Sequence, residues 1–308
     1  MSELARAAED YLRTRRALGF KLIRPGQLLR QFVAFMDQGG LSTITTDAAL
    51  AWATHPVDAD PNWWGSRLGV VRTFASWMTA FDPHTQVPPA DLLSYRSHRA
   101  EPYPYTGADI TALMAEAATI GHPLRAATYQ TLVGLLAVTG MRVGEAINLD
   151  RTDLDPVSGV LTIDHTKFDK SRELPLHPST IDALQAYARV RDRACPHPST
   201  PSLLVSTAGT RLIYKNVHHT WLDLVRQAGL RPRSHSCRPR IHDLRHRFAI
   251  TTLLRWYQSG ADIEARLPQL STYLGHVAPG STYWYLHGAP ELLALAAQRL
   301  QAYQGAPQ

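Results

Sequence analysis

The stretch VTGMRVGEAINL, Val138 to Leu149, decides how the second half of the chain is read. Gly140 marks the end of one helix, and the periodic Val143, Ala146, Ile147 and Leu149 mark the start of the next. Arg142 then sits at a helix N-terminus, where free N–H groups and a positive partial charge suit an anion. An arginine there is misplaced unless it holds a bound anion or pairs with Glu145 one turn on. The residues alone leave both readings open.

Working outward, a helix from about Pro123 to Thr139 precedes this turn. After it come GVLTIDH, a polar turn TKFDKS, and RELPL, which together resemble a hairpin. Helices return at Pro178 to Arg193, Tyr214 to Ala228 and Ile241 to Tyr257, and an amphipathic helix from Glu291 to Tyr303 closes the chain. Upstream, SHRAEPYPYT, Ser97 to Thr106, has two prolines and no periodicity, and Thr106 to Asp109 starts a new helix. Four helices are expected before that linker. They are carried by Ala5 to Leu18, by Leu28 to Phe35 with a stop at Gly39-Gly40, by Leu50 and Trp52 after Thr46-Asp47, and by Trp63 to Met78. The fold class is therefore mainly α with a small β-hairpin or sheet (α+β): a helical domain over residues 1–100 and a second over 101–308, with the boundary falling in this linker near residue 104.

Composition bounds the function. The charged fraction of 19% and hydrophobic fraction of 44% fit a globular protein, and no apolar run reaches the roughly 20 residues of a membrane span. Cys195 and Cys237 form no CxxC spacing, so neither a disulfide framework nor a cysteine zinc site is indicated, and a cytoplasmic protein is expected. The formal net charge of +6 and pI of 9.4 favour a polyanionic partner. Lysine occurs only at Lys21, Lys167, Lys170 and Lys215, so arginine supplies nearly all the positive charge. Arginine's planar fork can hold two phosphate oxygens at once, although a GC-rich genome would produce the same bias.

Two further stretches carry chemistry. In IHDLRHRF, Ile241 to Phe248, His242, Arg245 and His246 share one helical face. The i, i+4 histidines resemble a zinc-protease HExxH, but Asp243 is one carbon shorter than the required glutamate and Arg245 would repel a metal. No metal or cofactor is called for, and His246 reads as an internal hydrogen-bonding residue. The preceding RPRSHSCRPR carries Arg231, Arg233, Arg238 and Arg240 and no acid, as a solvated surface or as a phosphate-contacting strip. LGHVAPGSTYWYLHG, Leu274 to Gly288, sets His276 before Tyr283 and Tyr285.

Taken together, TGMRVGEAINL, HDLRHRFA and LGH followed nine residues later by Tyr285 resemble the three signature boxes of the tyrosine recombinases, the phage integrase family. The turn HTKFDKSRELPL is similar to that family's lysine-bearing β-hairpin. The resemblance spans about 106 to 303 in the family's order, with VAPGSTYW replacing the usual short polar run before the nucleophile.

The resemblance implies that Tyr285 attacks a scissile DNA phosphate to give a 3′-phosphotyrosine, with Tyr283 packed or stacked beside it. It implies Arg142 and Arg245 on the non-bridging oxygens, His242 as base or oxygen donor, His276 beside the phosphate, and Lys167 as proton donor to the leaving 5′-oxygen. Lys170 would be the understudy of Lys167. Charge and position add Lys21, Lys170, Arg172, Arg238 and Arg240 as nucleic-acid contacts.

The implied partners are double-stranded DNA and further copies of the chain, four protomers on two duplexes, with accessory recombination proteins compatible and no membrane. The setting would be a prokaryotic mobile element. The closing helix could dock on a neighbour or fold back. A type IB topoisomerase-like relaxing enzyme and a catalytically silent DNA-binding regulator of the same fold are the alternatives.

Overall fold

The computed structural model describes residues 2–93, 100–164, 171–276 and 280. It divides into two compact units, one up to residue 99 and one from residue 100 onward. No helix among the described residues is long and apolar enough to cross a membrane.

The first unit is helical: α1 (Glu3–Ala17), α2 (Ile23–Gln38), α3 (Thr46–Thr54) and α4 (Pro61–Met78). Each start has a sequence cause where a polar side chain caps it. Ser2 accepts from the Ala5 amide, Thr45 from Ala48, and Asp60 from Asn62 with Pro61 at the first helical position. Leu12, Leu29, Phe32, Met36, Leu68 and Phe74 are buried in its core. Arg67 is buried there too, lying 3.8 Å over the Trp52 ring and donating to the Trp52 carbonyl.

The second unit is mainly α with one small antiparallel sheet. In order it runs α5 (Gly107–Ala118), α6 (Pro123–Thr139), α7 (Val143–Asn148), β1 (Leu154–Asp155), β2 (Val160–Ile163), β3 (Arg172–Pro175), α8 (Pro178–Ala194), α9 (Tyr214–Gln227), α10 (Asp243–Gln258) and α11 (Ile263–Leu274). The expected hairpin is β2 and β3, with Leu161 opposite Leu174 and Ile163 opposite Arg172. Leu161, Ile163 and Leu174 are buried while their neighbours face outward, the alternation of a half-covered sheet. The short strand β1 adds an edge that the sequence pattern does not announce.

Helix α6 is the axis of this unit. Leu132, Val133, Leu135 and Leu136 bury its flanks, and α5, α8 and α10 pack against it. α11 is not among the helices expected from the sequence, and it carries Pro268 in its interior, where a proline costs a backbone bond. Burial overrides the lost backbone bond: Ile263, Leu267, Leu270 and Leu274 form one stripe packed on Ala249 and Leu253 of α10.

Gly140 ends α6 in the left-handed region, at φ +61°. A Cβ there would also lie 2.5 Å from the Phe248 ring, which itself stacks on Tyr273 at 5.5 Å. Gly140→Ala is expected to destabilise the protein by about 2 kcal/mol or more, adding left-handed strain to overpacking. Gly144, whose Cβ would meet nothing within 4 Å, should accept alanine without loss. Thermal and denaturant unfolding of the two variants checks the pair.

Candidate functional site

The site is assembled where α7 and α10 begin and α11 ends. At α7, Arg142 is the N-cap residue in extended conformation. Its amide donates to Glu145 Oε2 at 2.9 Å and its Nη1 to Oε1 at 2.8 Å. The expected alternative to a bound anion, an ion pair one turn on, is thus present. It leaves the Arg142 side chain 40% exposed.

α10 opens on His242, with Arg245 one turn in. This start is held by a buried carboxylate. Asp243 takes two bonds from Arg240, at 3.0 and 2.9 Å, and one from the Tyr103 amide at 3.1 Å. Arg240 also donates to the carbonyls of Ala100 and Glu101, so residues 100–103 are strapped across the residues that present His242. His242 is exposed, whereas Arg245 is only 2% exposed. Arg245 donates to the Gly140 carbonyl at 3.0 Å, tying α10 to the turn that precedes Arg142.

The end of α11 receives the arginines. Gly275 is left-handed at φ +68°, its amide donates to Thr272, and the His276 amide donates to Ser271. These are the two bonds of a Schellman cap, and they leave the last carbonyls of the helix unsatisfied. Arg172 Nε takes Tyr273 at 2.8 Å, Arg245 Nη2 takes Leu274 at 2.7 Å, and Arg142 Nη2 takes Gly275 at 3.1 Å. Cations at the negative end of a helix are favourable, and each carbonyl fixes the plane of its guanidinium. His276 follows directly.

The electrostatics follow from this crowding. His276 is pushed down to about 4, first by burial and then by the charges of Arg245, Arg142 and Arg172, with His242 adding to them. His242 keeps one edge open to solvent, but the protein atoms crowding the rest of its ring lower it by desolvation, and Arg245 lowers it further, with Asp243 opposing. Burial alone would raise the Glu145 carboxyl, but the bonds from Arg172 and Arg142 outweigh it and hold it below the usual range. Two neutral imidazoles thus stand among guanidiniums, an arrangement suited to an anion with a place for proton transfer.

The remaining expected site residues divide three ways. Lys167, Lys170, Tyr283 and Tyr285, like the closing helix, lie outside the described residues. Lys21 and Arg238 are exposed, Lys21 between α1 and α2, and Arg238 with its Nε on the His235 carbonyl. Arg172 and Arg240 each hold a carboxylate of the protein, Arg240 with its side chain still 38% exposed. Arg240 holds Asp243, and Arg172, 8% exposed, is bidentate on Glu145 at 2.7 and 3.2 Å. His246 is buried. The sequence reading missed the second partner of Glu145 and the carbonyls of α11. The available signal was LGH itself, since a glycine that follows an apolar turn of helix marks a carbonyl end in need of donors.

Comparison with known proteins gives a consistent picture. The model of the phage integrase family matches residues 105–291. A Sinorhizobium fredii protein named as an integrase/recombinase, y4rB, is 46% identical over 307 residues, covering 98% of each chain. In fold, the Tn1549 transposon integrase in complex with transposon right end DNA is similar with a TM-score of 0.65, at 16% identity, over 98% of this chain and 100% of that one. A lambda integrase tetramer bound to a Holliday junction is similar at 0.55, with 19% identity, over 92% of this chain and 76% of that one.

The depressed imidazole has a sign that can be measured. A folded value of about 4 against an ordinary 6.5 means the unfolded chain binds a proton that the folded site refuses. The stability this contributes is complete above 6.5 and is lost as pH falls towards 4. NMR titration of His276 in the protein without ligand should show a midpoint well below 6, rising when an oxyanion fills the recess. An unshifted midpoint would contradict the described geometry.

Proposed function

The chain belongs to the phage integrase family, and from that premise we propose that it is a site-specific DNA recombinase that cleaves and rejoins strands through a 3′-phosphotyrosine. The observation that carries this reading is the convergence of Arg142, Arg245, His242 and His276 at the end of α11. Together they supply fixed cations and neutral imidazoles in one recess, which is what an in-line displacement at a phosphodiester requires.

In the proposed step the Tyr285 phenol oxygen bonds to the scissile phosphorus as the P–O5′ bond breaks. A free phenol has a pKa of about 10, so its proton must be taken up as attack proceeds, and His242, neutral at pH 7, is the acceptor. The leaving 5′-oxygen takes a proton from Lys167. Charge gathering on the non-bridging oxygens is met by Arg142, the more open guanidinium, and by the deeper field of Arg245. His276, neutral at pH 7 in the site without DNA, offers the phosphate an N–H donor. One phosphodiester replaces another, so the step is reversible and needs no external energy source. Religation to a second strand gives exchange.

The likeness to a lambda integrase tetramer on a Holliday junction supports a proposed assembly of four protomers on two DNA sites. The likeness to a transposon integrase with transposon end DNA supports a role in moving a genetic element. Function in the cytoplasm, without a membrane partner and without a metal cofactor, completes the proposal. Among the described residues, no three His, Cys, Asp or Glu side chains gather as metal ligands.

Covalent trapping on nicked DNA carrying the element's end sequence, in EDTA, tests the reading. Wild type and Tyr283→Phe should give a protein–DNA adduct that survives denaturation, and Tyr285→Phe should give none. Absence of an adduct from wild-type protein on DNA it binds would overturn the proposal in favour of a regulator. An adduct accompanied by supercoil relaxation but no exchanged strands would move it to a topoisomerase-like enzyme.

A further inference from the structure

Arg172 is the cation whose place in the fold the proposed reaction does not use. It begins β3, opposite Ile163, and its guanidinium is buried between two elements distant in sequence. On one side Nη1 and Nη2 grip both oxygens of Glu145, at 3.2 and 2.7 Å; on the other Nε holds the Tyr273 carbonyl at 2.8 Å. A Cβ on Gly275 would lie 2.7 Å from Nη1 and 2.9 Å from Cζ, so the last residue of the α11 cap closes directly over it.

We propose that Arg172 is a positioning residue of the recombination site: it seats the carbonyl end of α11 against the start of α7 and keeps Glu145 from neutralising Arg142. The inference rests on the recombinase reading for its activity arm only. Arg142 and Arg172 share one carboxylate, and each also reaches a carbonyl of α11, Gly275 and Tyr273 respectively. Glu145 and the helix end are therefore bridged twice, and His276 leaves the cap from a fixed point.

A lone Arg142–Glu145 pair is neutral, whereas two guanidiniums on one carboxylate leave a net positive charge beside the recess. Glu145 accepts four bonds, two from each arginine, which occupies both oxygens and limits how far it can draw Arg142 away. A lysine could restore the charge but not the fork that spans Glu145 and Tyr273 together. Arg172 also opens β3, so the same side chain anchors that strand to the pocket.

The test compares Arg172→Met, Arg172→Lys and Gly275→Ala with wild type. Gly275→Ala leaves every charge in place and displaces the guanidinium by the steric route. Three quantities are read: the salt dependence of DNA binding, the rate of adduct formation at saturating nicked DNA, and the His276 titration by NMR without DNA. A positioning role gives a salt slope within about half a unit of wild type, a loss of about 100-fold or more in adduct rate, and a His276 midpoint moved towards 6.5 in all three variants. Arg172→Lys should recover less than about tenfold of the rate.

A phosphate contact would instead lower the salt slope by about 1 in Arg172→Met, with the saturated rate kept and His276 unmoved, and that result overturns the proposal. If wild type forms no adduct, the recombinase reading fails. The salt slope and the His276 titration still decide where Arg172 acts. A variant whose thermal unfolding shows it to be unfolded is set aside, and the other two carry the decision.

Discussion

The second unit depends on one arrangement: the carbonyl end of α11 is a socket for guanidiniums. A Schellman cap satisfies Ser271 and Thr272 and leaves Tyr273, Leu274 and Gly275 in need of donors. Arg172 from β3, Arg245 from α10 and Arg142 from the start of α7 supply them in that order. Three elements distant in the chain are thereby drawn to one point. The carbonyls and the buried guanidiniums of Arg172 and Arg245 each carry a desolvation cost that their pairing offsets. Losing any one arginine therefore leaves an unmatched group behind.

Two glycines permit this approach. Gly140 lets Phe248 pass beneath its turn and offers its carbonyl to Arg245, and Gly275 leaves space for Arg172. Both are left-handed, so the same residues end their helices and admit the neighbouring side chains. The charge balance follows from the geometry. Glu145 is the acid that both Arg142 and Arg172 share, and Asp243 is committed to Arg240 and the Tyr103 amide, so the recess stays positive. Its imidazoles are held neutral as a consequence.

Much of the fold was legible in the sequence because its signals are local. Pro123 and Gly140 bracket α6, Thr106 and Asp109 form a capping box for α5, and GVLTIDH and RELPL on either side of a polar stretch give β2 and β3. The exceptions have tertiary causes. α11 is hidden by Pro268 and recovered by its apolar stripe, and β1 exists only through pairing with β2. The site was legible in part. The motifs placed Arg142, His242, Arg245 and His276 in three boxes, and the fold brings those boxes together. What Arg172 holds could not be read from charge, since its partner Glu145 is 27 residues away and nothing local marks an arginine for the interior. The first reading of Arg142 offered an anion or Glu145 as alternatives. The structure shows Glu145 held with a second arginine attached, which leaves the proposed anion role compatible with the ion pair.

The central claim is that the guanidinium recess exists to neutralise a phosphodiester in transit. The most direct test replaces the scissile phosphate by a methylphosphonate, which has lost one anionic oxygen, and compares wild type with Arg142→Ala for cleavage of each substrate. The account expects Arg142→Ala to lose about 100-fold or more on the phosphodiester and less than about tenfold on the neutral linkage, because the charge it served is gone. An equal loss on both substrates would contradict the account, leaving Arg142 a structural brace for Glu145 and α11 with no part in the chemistry.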